Sequence, residues 1–90
     1  MTSCPSEKTI RLSQHALGYL DRRGFSIAEV KETIRESDWR PAPRDRLEAV
    51  RDFPFHNEWN GRRYLTKRVR PIFVDEPDEI VVVTVYTYYF

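Results

Sequence analysis

The stretch Glu79-Ile80-Val81-Val82-Val83-Thr84-Val85-Tyr86 decides the fold expected of this 90-residue chain. Apolar residues occupy both alternating faces of the run, so neither face suits full contact with water. A strand of this kind belongs inside a sheet, where other elements cover it on at least one side. We therefore expect a central strand here, with helices packed against it.

The N-terminal part predicts two helices. Ser13 is a suitable N-cap for a first helix over residues 14–23. Ser26 and Glu29 have the spacing of a capping box, which begins a second helix that ends near residue 36. Together the two helices predict an αα-hairpin.

The rest of the chain predicts antiparallel strands. Two prolines mark residues 37–43 as a connector. Asn60-Gly61 is a strong signal for a two-residue hairpin turn, because both positions tolerate positive φ. This turn joins a strand over residues 47–59, interrupted at Pro54, to one over residues 62–74.

The expected fold class is α+β. An N-terminal αα-hairpin packs on a three- to four-stranded antiparallel sheet, and one domain spans residues 1–90. Residues 9–12 alternate like a short edge strand, and residues 1–8 are expected to be a flexible leader.

Composition favours a cytoplasmic protein that does not enter a membrane. The longest aliphatic run, residues 80–83, is far shorter than the roughly 20 residues of a membrane helix. The first residues lack the apolar segment of a secretory signal. The single cysteine, Cys4, cannot form an internal disulfide, which favours a reducing compartment.

Charge is balanced over the chain but unevenly placed. The formal net charge is +1, yet residues 40–70 contain nine basic and four acidic side chains. Residues 71–90 contain four acids and no base. The basic middle is either a solvated face with ion pairs or a surface that contacts phosphates.

Motifs for cofactors and metals are absent from the sequence. There is no phosphate-binding glycine loop, and Cys4, His15 and His56 lack zinc-site spacing, so we expect neither a metal nor a cofactor. His15 follows a helix N-cap by two residues. It is either a half-buried residue held by a hydrogen bond or a general acid or base facing the sheet.

The segment of residues 62–70 is a candidate RNA-binding strand. Strand alternation places five of its polar residues on one face, and these are Arg62, Tyr64, Thr66, Arg68 and Arg70. Depending on register, the residues that join this surface are Arg46, Arg51 and Tyr88. Guanidinium groups hold phosphates and tyrosine rings stack on bases. Alternatively, Arg68 and Arg70 pair with Asp52, Glu48 or the acidic turn that follows.

The aromatic C-terminal stretch, Tyr86-Thr87-Tyr88-Tyr89-Phe90, leaves two interpretations open. The rings either pack in the core or form a dimer surface on the last strand.

The chain also resembles a known family. The pattern Ser13-x-His15-Ala16-Leu17-x(5)-Arg23-Gly24-Phe25-Ser26-x-x-Glu29-Val30, with the late strand Ile80–Tyr86, resembles small bacterial and phage domains of unknown function. Those domains are similar to the BrnT and RelE-type toxins of toxin–antitoxin systems, and the resemblance covers residues 10–86. It implies an RelE-like fold, a metal-independent messenger-RNA endonuclease that acts on free or ribosome-bound RNA, and a small antitoxin partner.

Two hypotheses follow. In the first, the protein is a toxin in which Lys67, Arg68 and Arg70 stabilise phosphate charge and His15 or Tyr86 transfers a proton. In the second, the same fold is a non-catalytic interaction module, which binds a protein partner or forms a homodimer through its C-terminal strand.

Overall fold

The computed structural model describes residues 8–90 of the chain. Of these residues 53% lie in six strands, which form one mixed sheet. The strands are β1 (Thr9–Leu12), β2 (Arg40–Ala42), β3 (Arg46–Glu48), β4 (Arg51–Trp59), β5 (Arg62–Asp75) and β6 (Glu79–Tyr89). Three short helices lie between β1 and β2, and they are α1 (Gln14–Gly18), α2 (Leu20–Arg23) and α3 (Ile27–Glu36).

The sheet has the strand order β1-β6-β5-β3-β2, and β4 pairs with the part of β5 that β3 leaves free. β1 runs parallel to β6, and all other pairs are antiparallel. β6 pairs with β5 over Ile80–Tyr89 and with β1 over Glu79–Val82, so the predicted central position is found in that first part of the strand.

The predicted fold class is wrong, because the protein is mostly sheet and contains neither the αα-hairpin nor a sheet of only three or four antiparallel strands. The predicted helix over residues 14–23 breaks at Tyr19, whose φ of −100° and ψ of 1° are not helical. Its amide donates to the Ala16 carbonyl at 3.1 Å, three residues back, so the helix ends there. Gly18 just before the break is a poor helix former. Two short helical pieces replace one of the two expected helices.

Additional strands come from segments whose local sequence does not favour strand. β2 lies inside the predicted connector, and its Pro41 is tolerated because β2 is an edge strand paired only with β3. The predicted strand over residues 47–59 divides at residues 49–50 into β3 and β4. With β1 added in parallel, the sheet reaches six strands.

Two local predictions are confirmed. α3 spans Ile27–Glu36, and its capping box is complete: the Glu29 amide donates to Ser26 Oγ at 3.1 Å, and the Ser26 amide donates to Glu29 Oε1 at 3.0 Å. The β4–β5 hairpin turns at Asn60 and Gly61, with φ of 52° and 83°. Both features depend only on residues that are close in sequence.

The helices cover one face of the sheet. The core beneath them is apolar and consists of Ile10, Leu12, Ala16, Phe25, Val30, Ile34, Ala49, Val69, Phe73, Ile80, Val82 and Val85. We call the opposite face, which carries Arg68, Arg70, Thr84, Tyr86 and Tyr88, the open face. It is the one large sheet surface that no described helix covers.

The N-terminal leader predicted over residues 1–8 lies outside the described residues except for Lys8. The Lys8 ammonium donates to Asp75 Oδ1 at 2.6 Å and to the Glu76 carbonyl at 2.9 Å. These bonds connect the start of β1 to the β5–β6 turn. No helix within residues 8–90 is long and apolar enough to cross a membrane.

Candidate nucleic-acid interface

A cavity of about 400 Å³ lies on the open face. Its floor is formed by β5 and β6, and one wall is formed by the β2–β3 hairpin. The residues that line it are Pro43, Arg44, Arg46, Arg70, Ile72, Thr84 and Tyr86. The volume lies in the lower part of the range of small-ligand pockets, about 300–1,000 Å³. The cavity therefore brings three arginines, a threonine and a tyrosine into one concave surface.

The arginines of this cavity are only partly neutralised. Arg70 donates to Glu48 Oε1 at 2.7 Å and to the Tyr88 hydroxyl at 3.3 Å, and both contacts raise the pKa of Arg70. Arg40 also approaches Glu48, at 3.4 Å, so two arginines share one carboxylate. Arg44 and Arg46 make no ion pair or side-chain hydrogen bond within residues 8–90. The cavity is therefore a site of positive charge on an otherwise balanced protein.

The backbone at the hairpin turn is unusual. Residues 43–45 connect β2 to β3, and both Arg44 (φ 65°) and Asp45 (φ 59°) adopt the left-handed region. Glycine and asparagine are the usual residues there, because a bulkier side chain strains this conformation. An arginine at such a position, with its side chain lining a cavity, is an observation that points to function.

Tyrosines and arginines alternate beside the cavity. The guanidinium carbon of Arg23 lies 4.0 Å from the ring centre of Tyr19 and 5.0 Å from that of Tyr86. The guanidinium carbon of Arg70 lies 5.5 Å from the same Tyr86 ring centre. Tyr86 and Tyr88 are 39% and 43% exposed, so each offers ring surface to a ligand.

Arg23 and Ser13 also occupy the edge of β6 beyond its pairing with β1. Arg23 Nη1 donates to the Val85 carbonyl at 2.6 Å, and Ser13 Oγ donates to the Val83 carbonyl at 3.1 Å. These bonds occupy acceptors that a second strand would need for edge-to-edge pairing. Edge-to-edge pairing of a second strand along residues 83–85 would therefore have to displace these two bonds.

The predicted catalytic residues are divided between the two faces. Arg68, Arg70 and Tyr86 lie on the open face, and only Arg70 and Tyr86 line the cavity. Lys67 lies on the helix-covered face, 7% exposed, where its ammonium contacts Glu29 Oε2 at 2.8 Å and donates to the Gly24 carbonyl at 2.9 Å. A ligand on the open face cannot reach Lys67 through the sheet.

His15 lies on α1, exposed, with its ring packed edge-on against Tyr19 at 5.0 Å between centres. The Arg23 guanidinium lies near both the Tyr19 ring and the Tyr86 ring, so these two side chains separate His15 from Tyr86. His15 is thus near the row of aromatic and basic side chains but does not line the cavity.

Arg68 and Arg70 form the ion pairs that the alternative interpretation of the sequence named. Arg68 binds Asp52 with two hydrogen bonds, of 2.7 and 3.1 Å, and these hold the pKa of Asp52 below its usual range. Arg70 binds Glu48, as described above. Both arginines therefore form ion pairs between strands of the sheet. Arg68 does not line the cavity.

The predicted RNA-binding residues are also divided. Arg46 lines the cavity and Tyr88 lies next to it, but Arg51 contacts Glu32 of α3 at 3.1 Å. The Tyr64 ring packs 5.7 Å from Tyr89 on the helix-covered face, and Arg62 lies over the Tyr64 ring. The common face that alternation predicted for residues 62–70 therefore does not extend to Arg62 and Tyr64.

A β-bulge causes this change of face. The amides of Leu65 and Thr66 both donate to the Phe90 carbonyl, at 3.2 and 2.8 Å. On the β4 side, Phe55 and His56 together lie opposite Leu65, so the pairing of β5 is irregular here and the alternation of side chains shifts by one position. Simple strand alternation had placed Tyr64 on the same face as Arg68 and Arg70.

The C-terminal aromatics are divided between packed positions and the open face. Tyr89 packs between Trp59 (5.0 Å, stacked) and Phe55 (5.1 Å), and its hydroxyl donates to the Arg23 carbonyl at 2.8 Å. Burial, with the nearby Glu29 carboxylate, raises the pKa of Tyr89. Tyr86 and Tyr88 instead remain on the open face. Because side chains alternate along β6, Tyr89 lies on the helix-covered face, and Tyr86 and Tyr88 lie on the open face.

A second cavity, of about 390 Å³, lies at the other end of the open face. Asp52, His56 and Phe90 belong to its lining, and Asp52 is already bound by Arg68. It offers no comparable group of cations, so the arginine-lined cavity is the better candidate site. Within residues 8–90 no group of three or more metal-ligating side chains comes together.

Sequence reasoning missed Arg44 and Arg23. The available signal for Arg44 was its place in the turn Pro43-Arg44-Asp45, where glycine or asparagine is expected. For Arg23 the only local signal was Tyr19 four residues earlier in the predicted helix, because its β6 partners, Val85 and Tyr86, are more than 60 residues away.

Fold and site together define a small, mostly β domain with helices on one sheet face and an arginine-lined, tyrosine-flanked cavity on the other. No family model, curated protein or solved structure matches the chain.

Proposed function

We propose that the protein binds single-stranded RNA on the open face of its sheet. The cavity holds phosphate, and Tyr86 and Tyr88 stack against bases. The observation that carries the proposal is the placement of Arg44 and Arg46, without carboxylate partners among the described residues, beside two exposed tyrosines.

The chemistry of these groups suits RNA. A guanidinium group offers a planar fork of donors that matches two phosphate oxygens. Stacking on an aromatic ring contributes about 1–3 kcal/mol per base and tolerates any sequence. Bases must be unpaired to stack in this way, which favours single strands over duplexes.

RNA cleavage is the second candidate function. It is supported by two guanidinium groups close to the Tyr86 ring, Arg23 at 5.0 Å and Arg70 at 5.5 Å from the ring centre. In metal-independent cleavage the ribose 2′-hydroxyl attacks the adjacent phosphate, and guanidinium groups stabilise the charge that develops. In this form the protein is a toxin of the kind that its resemblance to BrnT and RelE-type proteins implies, acting in the cytoplasm and neutralised by a small antitoxin.

Binding without cleavage has the stronger support of the two. The residues that line the cavity include no histidine and no carboxylate, so only Tyr86 is available there for proton transfer. Lys67 is buried on the other face, and His15 lies outside the cavity lining.

The test of binding is fluorescence anisotropy with a labelled single-stranded RNA, over a series of salt concentrations. The variant is Arg44→Ala/Arg46→Ala. The matched control is Arg35→Ala/Arg63→Ala, which removes the same charge from two exposed arginines that lack ion pairs within residues 8–90. We expect the cavity variant to bind at least about tenfold more weakly, a loss of ~1.4 kcal/mol. The slope of log affinity against log salt should become shallower by about 0.7 per lost phosphate contact.

Equal losses in both double variants would mean that only net charge matters and would contradict the proposed site. Undetectable binding of the folded wild type at low salt would overturn RNA binding itself. For cleavage, new RNA 5′ ends are mapped after induced expression in a bacterial host. Discrete cleavages that Tyr86→Phe abolishes would support the nuclease, and intact RNA with normal growth would exclude it.

A further inference from the structure

We propose that the cavity accepts the phosphorylated end of an RNA strand, a terminal phosphomonoester, in preference to an internal phosphodiester. This inference rests on the proposed binding of RNA and names the part of the RNA that the cavity recognises.

Charge is the first argument. The β2–β3 hairpin and the cavity floor contain four arginines and two carboxylates, which leaves a net charge of +2. These residues are Arg40, Arg44, Arg46, Arg70, Asp45 and Glu48. A phosphomonoester carries about −1.5 to −2 charge at neutral pH. An internal diester carries only one negative charge, so it would leave part of the positive charge of the cavity without a counter-charge.

Shape is the second argument. Arg44, with its neighbours in the hairpin, forms a wall beside a floor of two strands, and the half-open cavity of about 400 Å³ suits one small ligand. A continuous RNA strand crossing the sheet would have to pass this wall. A strand end needs only to enter from the side of Tyr86 and Tyr88, which lie next to the cavity and are exposed.

The backbone of the hairpin turn is the third argument, and it is independent of charge. Arg44 holds a positive φ that glycine would adopt without strain. Arg44 is exposed and forms no bond within residues 8–90 that would explain its presence at this position. A ligand that binds the Arg44 guanidinium group in the cavity explains why arginine occupies this position.

Thr84 completes the phosphate site. Thr84 belongs to β6 and lines the cavity together with Arg70 of β5. Its paired residue on β5 is Ile72, two residues along the strand from Arg70. A hydroxyl donor beside guanidinium groups can satisfy a third phosphate oxygen. The terminal base would then lie against Tyr86, whose ring forms part of the same cavity.

The test compares three forms of one short RNA oligonucleotide: 5′-phosphorylated, 3′-phosphorylated, and with hydroxyl groups at both ends. Each form carries the same internal fluorophore, and anisotropy gives its affinity for the full chain. We expect one phosphorylated form to bind at least about tenfold more tightly than the hydroxyl form. Whichever form wins identifies the end that the cavity receives.

Two glycine variants provide the matched comparison. Arg44→Gly removes the guanidinium group and relieves the backbone strain, so its melting temperature should equal or exceed that of the wild type while the preference for phosphate disappears. Asp45→Gly relieves the same kind of strain and keeps Arg44, so it should retain the preference. Loss of the preference in both variants would contradict the role of Arg44.

The outcomes separate this inference from the proposed function. If all three RNA forms bind equally and Arg44→Ala/Arg46→Ala weakens all of them, RNA binding stands and recognition of a terminal phosphate is wrong. If no form binds the folded protein, both proposals are wrong.

Discussion

Lys67 and Arg68 are adjacent in sequence but lie on opposite faces of the sheet. The Lys67 ammonium contacts Glu29 of α3 at 2.8 Å, whereas Arg68 binds Asp52 of β4 on the open face. A strand sends successive side chains in opposite directions, so two neighbouring basic residues cannot serve one site. Lys67 therefore attaches α3 to the sheet, and its role is structural.

Replacing Lys67 should lower the stability of the fold without changing the affinity for RNA. Lys67→Met leaves the Glu29 carboxylate and the Gly24 carbonyl without their shared donor, and we expect a loss of about 2 kcal/mol in the free energy of unfolding. Urea denaturation measures this loss, and RNA affinity should stay within about twofold of the wild type, ~0.4 kcal/mol.

Glu29→Gln in the Lys67→Met background is the control. Glutamine preserves the capping box and removes the unpaired charge, so part of the stability should return. The opposite pattern, weaker RNA binding with an unchanged urea midpoint, would restore Lys67 as a site residue.

Arg70 and Arg68 should differ in their importance for stability. Glu48 is only 12% exposed, and Arg70→Ala leaves it with the longer contact to Arg40, so we expect a loss of about 1–2 kcal/mol. Asp52 and Arg68 are both 44% exposed, so Arg68→Ala should change the melting temperature little. Thermal unfolding followed by circular dichroism compares the two variants. Equal effects would contradict the difference in burial.

Gly24 should be irreplaceable. A Cβ at this position would meet the Tyr89 hydroxyl and approach Trp59 Cη2 at 2.6 Å, and its φ of 74° already disfavours other residues. Gly24→Ala should therefore cost about 3 kcal/mol, from overpacking and backbone strain together. Gly18→Ala is the control, since a Cβ there meets nothing within 4 Å. It should leave stability unchanged or raise it, and chemical denaturation distinguishes the two variants.

Tyr89 should make stability depend on alkaline pH. Burial raises the pKa of Tyr89, so the folded protein keeps the phenol proton at pH values where the unfolded chain begins to lose it. The contribution is complete below pH 10.0, the ordinary value for tyrosine, and is lost as pH rises through the folded pKa. Tyr89→Phe should cost about 1 kcal/mol at pH 7, for the lost hydrogen bond to the Arg23 carbonyl.

Urea denaturation at pH 7 and above pH 10 compares this variant with the wild type. The difference between them should shrink at high pH, because only the wild type has a phenol to ionise at this position. An equally steep alkaline loss in both proteins would show that Tyr89 contributes nothing to it.

The features predicted correctly from sequence are local or follow directly from apolar patterning. The capping box of α3 needs only Ser26 and Glu29, and the β4–β5 turn needs only Asn60 and Gly61. The central position of β6 follows from a run that is apolar on both faces. The break at Tyr19 and the bulge at Leu65 were not predicted, since tertiary contacts can override weak local preferences.

The candidate site was predicted only in part. Arg46, Arg70 and Tyr86 line the cavity and Tyr88 adjoins it, whereas Lys67, Arg51 and Tyr64 belong to the other face. Arg68 shares the open face but remains bound to Asp52. Residue type alone identified basic and aromatic candidates, and the register of the strands determined which of them meet.

The sequence by itself determined the elements that depend on interactions among a few neighbouring residues: a capped helix, a tight turn and an apolar strand. Tertiary structure decided the number of strands, the parallel pairing of β1 with β6, and the folding of the β2–β3 hairpin over the open face. The physical reason is the separation in sequence between the residues that interact. Caps and turns are local hydrogen bonds and backbone preferences, whereas strand register and the position of Arg44 depend on burial and pairing between residues far apart in sequence.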